Sequence, residues 1–191
     1  MKTLRKFDEK KAVKAVKLLL ESFGEDLKRE GVKRTPERVA EFYKEALSGN
    51  SQDPLKIASV HYTAEDHEEI VLVKDIPFYS MCEHHLLPFF GKAHIAYIPK
   101  KDAIIGVSKL IRLVEVFANR LQLQERLTKQ IADTIMQSVK PHGAMVVIEA
   151  EHLCMTMRGV KKPGSKMMTS AVRGSFLKDA KTRAEALSLL K

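Results

Sequence analysis

Residues 70–98 read IVLVKDIPFYSMCEHHLLPFFGKAHIAYI, so two apolar runs enclose a cluster of cysteine and histidine. The continuous, β-branched run at 70–73 and the apolar run at 92–98 each predict a strand. Asp75-Ile76-Pro77 predicts a turn, and Pro88 predicts the end of the loop that follows it. Because strands joined by a short connection favour antiparallel pairing, the segment is interpreted as two neighbouring strands around a chemically active loop.

Apolar residues at helical spacing predict the helices of the remaining chain. They are expected at 8–23, from Thr35 as N-cap with Pro36 at the first helical position to about Leu47, from Ser108 to Leu121, at 124–139 and at 182–190. Further extended segments are expected at 104–106, at 144–148 continuing towards Cys154, and at 167–174. The elements after position 70 therefore run as strand pair, helix pair, strand pair.

This order predicts an α+β domain, in which a helix pair covers one face of an antiparallel sheet. Two amphipathic helices precede the loop at 48–54 and are not needed for that core. We therefore expect an N-terminal helical arm over residues 1–53, followed by the main domain over residues 54–191.

The only two cysteines of the chain each lie within three positions of histidines. Cys82 and His85 are spaced i to i+3, so one turn of backbone can aim both at one ion. His152 and Cys154 are spaced i to i+2, which on a strand places both side chains on one face. Two thiolates and one imidazole make three ligands, and tetrahedral zinc with three protein ligands keeps an open position, as catalytic sites do. His84 and His152 remain as acid–base groups.

Other interpretations fit the same spacing. Cys82 and Cys154 could form a disulfide, could be unrelated buried thiols, or could belong to a closed structural zinc site with His84 or His152 as the fourth ligand. Lysines interrupt the first apolar segment at 10–20, which is therefore not a signal-peptide core. We expect a reducing, cytoplasmic location, which disfavours the disulfide.

The charge balance indicates an anionic partner. The 191 residues include 33 Lys and Arg against 24 Asp and Glu, a formal net charge of +9. Such an excess suits nucleic acid, a membrane surface or a phosphorylated small molecule. No basic run is interleaved with aromatic residues in the way that stacks bases, and no apolar run approaches membrane-spanning length. The charge therefore indicates an anion without saying which one. The expectation that the partner is neither nucleic acid nor a membrane comes with the family resemblance described below.

Several motifs, in order and spacing, resemble the GTP cyclohydrolase I family from about Gly24 to Leu190. They are Thr35-Pro36-Glu37-Arg38-Val39, Cys82-Glu83-His84-His85, Gly106-Val107-Ser108-Lys109-Leu110 with Arg112, Gln122-Leu123-Gln124-Glu125-Arg126-Leu127, and His152-Leu153-Cys154-Met155 through Arg158-Gly159-Val160 and Pro163-Gly164-Ser165. Leu121 and Met167-Met168 depart from the family's pattern, at positions with no proposed function.

The resemblance implies the tunnelling fold and a toroidal homodecamer, an oligomeric ring of a kind compatible with allosteric control, with active sites at subunit interfaces. The implied reaction is hydrolytic opening of the imidazole ring of GTP, release of formate and re-closure to 7,8-dihydroneopterin triphosphate, the first step of pterin and tetrahydrofolate synthesis. The implied cofactor is Zn²⁺, bound by Cys82, His85 and Cys154. The implied catalytic residues are His84, His152 and Ser108; the implied substrate contacts are Glu125 and Gln124 to guanine, Lys109, Arg112 and Arg158 to ribose and triphosphate, and Arg38 from a neighbouring subunit.

Two rival functions remain at this point. A zinc-stabilised nucleic-acid-binding module would present the positive charge to a phosphate backbone and would bind with steep salt dependence. The nitrile reductase branch of the tunnelling fold uses a cysteine nucleophile and a nicotinamide cofactor, and would not need Cys82, His85 and Cys154 together as ligands.

Overall fold

The computed structural model describes residues 6–59, 61–62, 67, 69–100 and 104–190. The helices in these ranges are α1 (Glu9–Ser22), α2 (Thr35–Ala46), α3 (Pro54–Ala58), α4 (Val107–Ala118), α5 (Gln124–Val139), α6 (Leu153–Thr156), α7 (Ser175–Lys178) and α8 (Ala180–Ser188), with a 3₁₀ turn at Ser48–Ser51. The strands are β1 (His61–Tyr62), β2 (Val71–Cys82), β3 (Pro88–Ile98), β4 (Ile104–Ile105), β5 (Leu121–Gln122), β6 (Gly143–His152) and β7 (Lys166–Gly174). None of the helices in the described residues is long and apolar enough to cross a membrane.

Among the described residues, five strands form one sheet in the order β5-β2-β3-β6-β7. The pairs β2–β3, β3–β6 and β6–β7 are antiparallel, as the sequence predicts, and the short β5 joins β2 in parallel. The strands β1 and β4 form a separate antiparallel pair. The fold is therefore a mixed α+β arrangement, in agreement with the predicted class.

Both faces of the sheet carry apolar cores. The larger core joins the sheet to α4 and α5 and includes Phe89, Ile95, Leu113, Leu127 and Ile131, all fully buried. A smaller core on the opposite face includes Ala96, Met145, Phe176 and Ala186, so α7 and α8 cover part of that face. The expected helix pair on one face is present, while the second covered face was not predicted.

The strand β2 contradicts the predicted turn at Asp75-Ile76-Pro77, because it continues through these residues to Cys82. A register shift between Val73 and Ile76 marks a bulge, which takes up two residues and places Asp75 at a φ of 60°. Pro77 is tolerated because β5 pairs with β2 only at its end, so this part of β2 is an edge. The second strand likewise begins earlier than predicted, at Pro88.

Three local predictions shift in the structure. Thr35 is the first residue of α2, with Arg34 as its N-cap, so the predicted cap lies one position late. The helix α4 ends at Ala118, and Leu121 belongs to β5. Cys154 does not lie on a strand beside His152, because β6 ends at His152 and Cys154 follows in the single turn of α6.

The predicted arm and domain boundary at 53/54 remains a prediction, and residues 1–5 of that arm lie outside the described residues. The helix α1 packs on α2, and Lys44 Nζ lies 2.8 Å from a Glu9 carboxylate oxygen. The following 3₁₀ turn contacts α4, because the Gly49 N–H donates to the Asn119 carbonyl at 3.0 Å. A Cβ at Gly49 would lie 2.1 Å from the Val116 carbonyl oxygen, so this close approach requires glycine.

Candidate active site

The structure brings Cys82, His85 and Cys154 together. One sulfur or nitrogen ligand atom from each of the three lies within 4.8 Å of the others, and Cys82 Sγ lies 3.8 Å from His85 Nδ1. Both cysteines are free thiols, which excludes the disulfide interpretation for this structure. Cys82 is buried, Cys154 is half-buried and His85 is exposed, so the cluster opens to the surface on its histidine side.

Backbone hydrogen bonds hold the loop that carries two of these residues. The Cys82 N–H donates to the Leu87 carbonyl at 2.9 Å, and the Leu86 N–H donates back to the Cys82 carbonyl at 2.9 Å. The Glu83 N–H donates to the Gln122 carbonyl of β5 at 3.1 Å. The predicted single turn of backbone is therefore present, and it is anchored to the sheet on both sides.

The donor set fits zinc. Around a tetrahedral zinc with bonds of about 2.0–2.3 Å, neighbouring ligand atoms stand roughly 3.5–3.8 Å apart. Cys82 Sγ and His85 Nδ1 stand 3.8 Å apart, and the three ligand atoms all lie within 4.8 Å of one another. Burial raises the pKa of the Cys154 thiol, and the neighbouring Cys82 raises it further. A divalent cation between the two sulfurs would instead lower the pKa of both thiols, because it stabilises the thiolates.

Two arginines attach to this loop. Arg158 donates to His85 Nε2 at 3.0 Å, and Arg126 of α5 makes a two-pronged ion pair with Glu83, one prong of which measures 3.0 Å. Arg158 was predicted at the site from the family resemblance, whereas the Glu83–Arg126 pair was not predicted. Glu83 and Arg126 are 43 positions apart in the sequence, and no local sequence pattern indicates a contact over that separation.

His152 lies at the end of β6 with 9% of its surface exposed. Its ring stacks on Phe89 with centroids 4.5 Å apart and planes 2° apart, as the β3–β6 register requires. Its Nε2 lies 2.7 Å from Gln124 Oε1. Burial lowers the pKa of His152, and the Glu125 carboxylate acts in the opposite direction.

The two predicted guanine contacts, Gln124 and Glu125, lie at the start of α5 but differ in exposure. Glu125 is exposed, in the first turn, and its charge is felt at His152. Gln124 is 1% exposed, and its amide nitrogen donates to protein oxygens on β6 and β7. The Gln124 side chain is therefore used inside the protein, which the sequence alone could not indicate.

The predicted catalytic residue Ser108 and two of the predicted ribose and triphosphate contacts, Lys109 and Arg112, lie towards the start of α4, whereas the third contact, Arg158, lies at the cluster. Ser108 and Arg112 are exposed, Lys109 is half-buried, and no side chain caps or acidifies the first turn of this 12-residue helix. Uncapped N–H groups and nearby cations favour an anion there. Two other predicted residues, His84 beside the cluster and Arg38 on α2, are exposed.

The family assignment rests on comparison with known proteins. The family model of GTP cyclohydrolase I matches residues 12–191. The chain belongs to the GTP cyclohydrolase I family. It is 63% identical over 183 residues to the GTP cyclohydrolase 1 of Carboxydothermus hydrogenoformans, covering 96% of this chain and 95% of that protein. It is also 59% identical over 187 residues to the GTP cyclohydrolase 1 of Clostridioides difficile, covering 98% of each.

The predicted family and the predicted hydrolase activity of a GTP cyclohydrolase are confirmed by this membership. A solved structure, the archaeosine synthase QueF-Like in the apo form, aligns with a TM-score of 0.44 and 16% identity over 56% of this chain and 94% of that chain. A likeness of that size supports no conclusion about the fold or the reaction.

Proposed function

We propose that the chain is a zinc-dependent GTP cyclohydrolase I that opens the guanine imidazole ring of GTP, releases formate and re-closes the product to 7,8-dihydroneopterin triphosphate. The observation that carries the proposal is the Cys82–His85–Cys154 group in a chain of this family. His152 directly precedes the helical turn that carries Cys154, and the charge of Glu125 acts on His152. Zinc bound there would supply Lewis-acid chemistry at an open coordination position.

Proton transfer falls to the histidines. Ring opening requires a proton to leave the attacking water and a proton to reach the ring nitrogen that departs. His84 and His152 are proposed for these transfers, since an imidazole titrates in the range that both directions need. Glu125 is proposed to accept hydrogen bonds from guanine N1–H and the exocyclic amine, because one carboxylate matches two adjacent donors.

The triphosphate is proposed to bind at Ser108, Lys109, Arg112 and Arg158, with Arg38 added from a neighbour. Ser80, two residues before Cys82, donates to the carbonyl of Ala118 at the far end of α4. At 1.5 Å per residue, the start of α4 lies roughly 16 Å from that end. This distance within one chain supports a site in which a second subunit supplies the α4 cations.

A shared site requires an oligomer, and we propose the homodecameric ring and tunnelling fold of the resemblance. The five-stranded sheet, with α4 and α5 on one face and α7 and α8 over part of the other, is compatible with that fold. The exposed Leu18 and Leu19 of α1, and Phe23 directly after it, support burial of the proposed arm, residues 1–53, against other subunits. Residues 54–191 are proposed to form the catalytic domain. Two reduced thiols at a metal site suit the cytoplasm, which we propose as the location.

The test is incubation of the zinc-loaded protein with GTP, with formate measured enzymatically and the oxidised pterin measured by fluorescence. We expect both products in equal amounts. His84→Ala is the matched variant, since it should retain zinc and lose roughly 10²–10⁴ in rate. Formate without a pterin, or turnover in metal-free protein, would contradict the proposal.

Mixing inactive variants tests the shared site. Lys109→Ala and Glu125→Gln subunits are each expected to be nearly inactive alone. If the two residues act from different subunits, co-refolded mixtures contain some sites with both residues intact and recover activity. A mixture that stays as inactive as its parents, while light scattering shows mixed oligomers, would place Lys109 and Glu125 in sites of one chain.

A further inference from the structure

The side chain of Gln124 is enclosed where α5 meets β6 and β7. Its Nε2 lies 3.0 Å from the Ile148 carbonyl oxygen, 3.0 Å from the Met167 carbonyl oxygen and 3.1 Å from Thr169 Oγ1. Main-chain carbonyls only accept hydrogen bonds, so the amide atom between them must be the NH₂ group. The orientation of this amide therefore follows from its partners.

Two hydroxyl groups complete the same network. Thr128 Oγ1 lies 2.7 Å from the Gln124 carbonyl oxygen, so the Thr128 hydroxyl donates to it. Thr128 Oγ1 also lies 2.6 Å from Thr169 Oγ1, and with its own hydrogen committed it must accept from Thr169. Thr169 then turns a lone pair towards the Gln124 amide. The two amide hydrogens face the Ile148 and Met167 carbonyls, and Thr169 Oγ1 shares one of them as a third acceptor.

The other end of the amide determines the state of His152. Gln124 Oε1 lies 2.7 Å from His152 Nε2, and an amide oxygen can only accept. The hydrogen of the neutral imidazole must therefore be on Nε2, which leaves the lone pair on Nδ1. The stack on Phe89 fixes the plane of the ring, and the amide fixes its rotation within that plane.

We propose that Gln124 is a positioning residue that holds His152 in its Nε2–H tautomer, with Nδ1 as the acceptor offered to the substrate, and that Thr169 orients Gln124. This role differs from the guanine contact that the family resemblance implies for Gln124. A side chain that is 1% exposed and bonded at both ends has no group left for a base. The catalytic consequence rests on the proposed function, whereas the tautomer does not.

Neutron diffraction on deuterium-exchanged crystals of the full chain tests the tautomer directly. At mildly alkaline pH we expect a deuteron on His152 Nε2, none on Nδ1, and both amide deuterons of Gln124 facing Ile148 and Met167. A deuteron on Nδ1 with Nε2 bare, or a reversed amide, would overturn the proposal. This readout needs no turnover, so it stands apart from any failure of the proposed GTP reaction.

Kinetics of two substitutions test the consequence. Gln124→Met keeps the chain length and removes the amide, and should lower kcat per bound zinc by roughly 10² while leaving the KM for GTP and the preference over ITP unchanged. Thr169→Val should lower kcat several-fold, and Thr169→Ser should restore it, because serine keeps the hydroxyl. A raised KM with weaker GTP preference in Gln124→Met would return the residue to base recognition, and equal losses in the Val and Ser variants would remove Thr169 from the role.

Discussion

The hydroxyl of Tyr97 connects the buried centre of β3 to the segment that leads into α4. Tyr97 is fully buried, and its hydroxyl accepts from the Ile105 N–H at 3.0 Å and points to the Ile105 carbonyl at 3.5 Å. Burial raises the pKa of this phenol, with the Ile105 bond acting in the opposite direction, so it remains a neutral hydroxyl. Ile105 directly precedes Gly106, the N-cap of α4.

Tyr97→Phe removes only the oxygen, so it opens almost no cavity and takes away the acceptor of a buried N–H. An unpaired buried donor costs about 1–3 kcal/mol, and for a chain of this size 1 kcal/mol lowers Tm by roughly 2–4 °C. We expect a Tm lower by about 2–12 °C at matched protein concentration. Loss of the Ile105 bond should loosen the segment that leads into α4, and the first turn of α4 carries Ser108 and Lys109. The KM for GTP should therefore rise while kcat changes little.

Thermal unfolding by circular dichroism and initial rates of formate release would measure both effects. Tyr79→Phe is the matched control, because Tyr79 is 72% exposed and loses the same oxygen. Equal behaviour of the two variants would show that the Ile105 bond contributes nothing. A kcat loss with unchanged KM would show that the bond does not act through the start of α4.

Cys154→Ser should lose metal and activity together, because serine is a poor zinc ligand. Zinc content measured with a chelating dye, compared with the rate of GTP turnover, tests this. Full zinc occupancy with normal turnover would remove Cys154 from the site. Glu125→Gln should lose most GTP turnover but keep zinc. The wild type should prefer GTP to ITP and ITP to ATP, as measured by formate release from the three nucleotides. Undiminished GTP turnover by Glu125→Gln would leave Glu125 as an acidic residue that only stabilises the start of α5. His94 accepts from the Asp75 N–H at 3.1 Å, and burial lowers its pKa from the ordinary 6.5, while Asp75 opposes this. The unfolded chain thus binds a proton that the folded chain does not, so stability falls as the pH drops below about 6.5. In His94→Gln the urea concentration at the unfolding midpoint should depend less on pH in that range. An unchanged dependence would show that His94 does not cause the loss of stability.

Local patterns predicted the parts of this fold that depend on local forces. The helices α1, α4 and α5 follow from apolar spacing, and the antiparallel order follows from short connections. The passage of β2 through Pro77 could not be predicted, because proline is compatible with a strand only where the neighbouring edge is open. That edge exists because β5 is two residues long and pairs only with Met81 and Cys82.

The candidate site shows the same division. The structure brings Cys82, His85 and Cys154 together, as the sequence predicts, and their role as metal ligands stays a proposal. The strand geometry expected for His152 and Cys154 was wrong. Cys154 reaches the cluster from a helical turn after β6, where the i to i+2 rule for strands does not apply. The buried amide of Gln124 depends on carbonyls of two strands far along the chain, so only the assembled structure reveals it.

The Glu83–Arg126 pair has a thermodynamic consequence, because it joins the loop proposed to hold the metal to the helix proposed to read the base. Any preference of the ion for one loop position becomes a preference of α5 for one position, and reciprocity requires the same coupling free energy in the reverse direction. Nucleotide bound at Glu125 would then raise the affinity for the metal by the same factor by which the metal raises the affinity for the nucleotide. The affinity for the metal and the affinity for the substrate would then depend on the same coupling free energy.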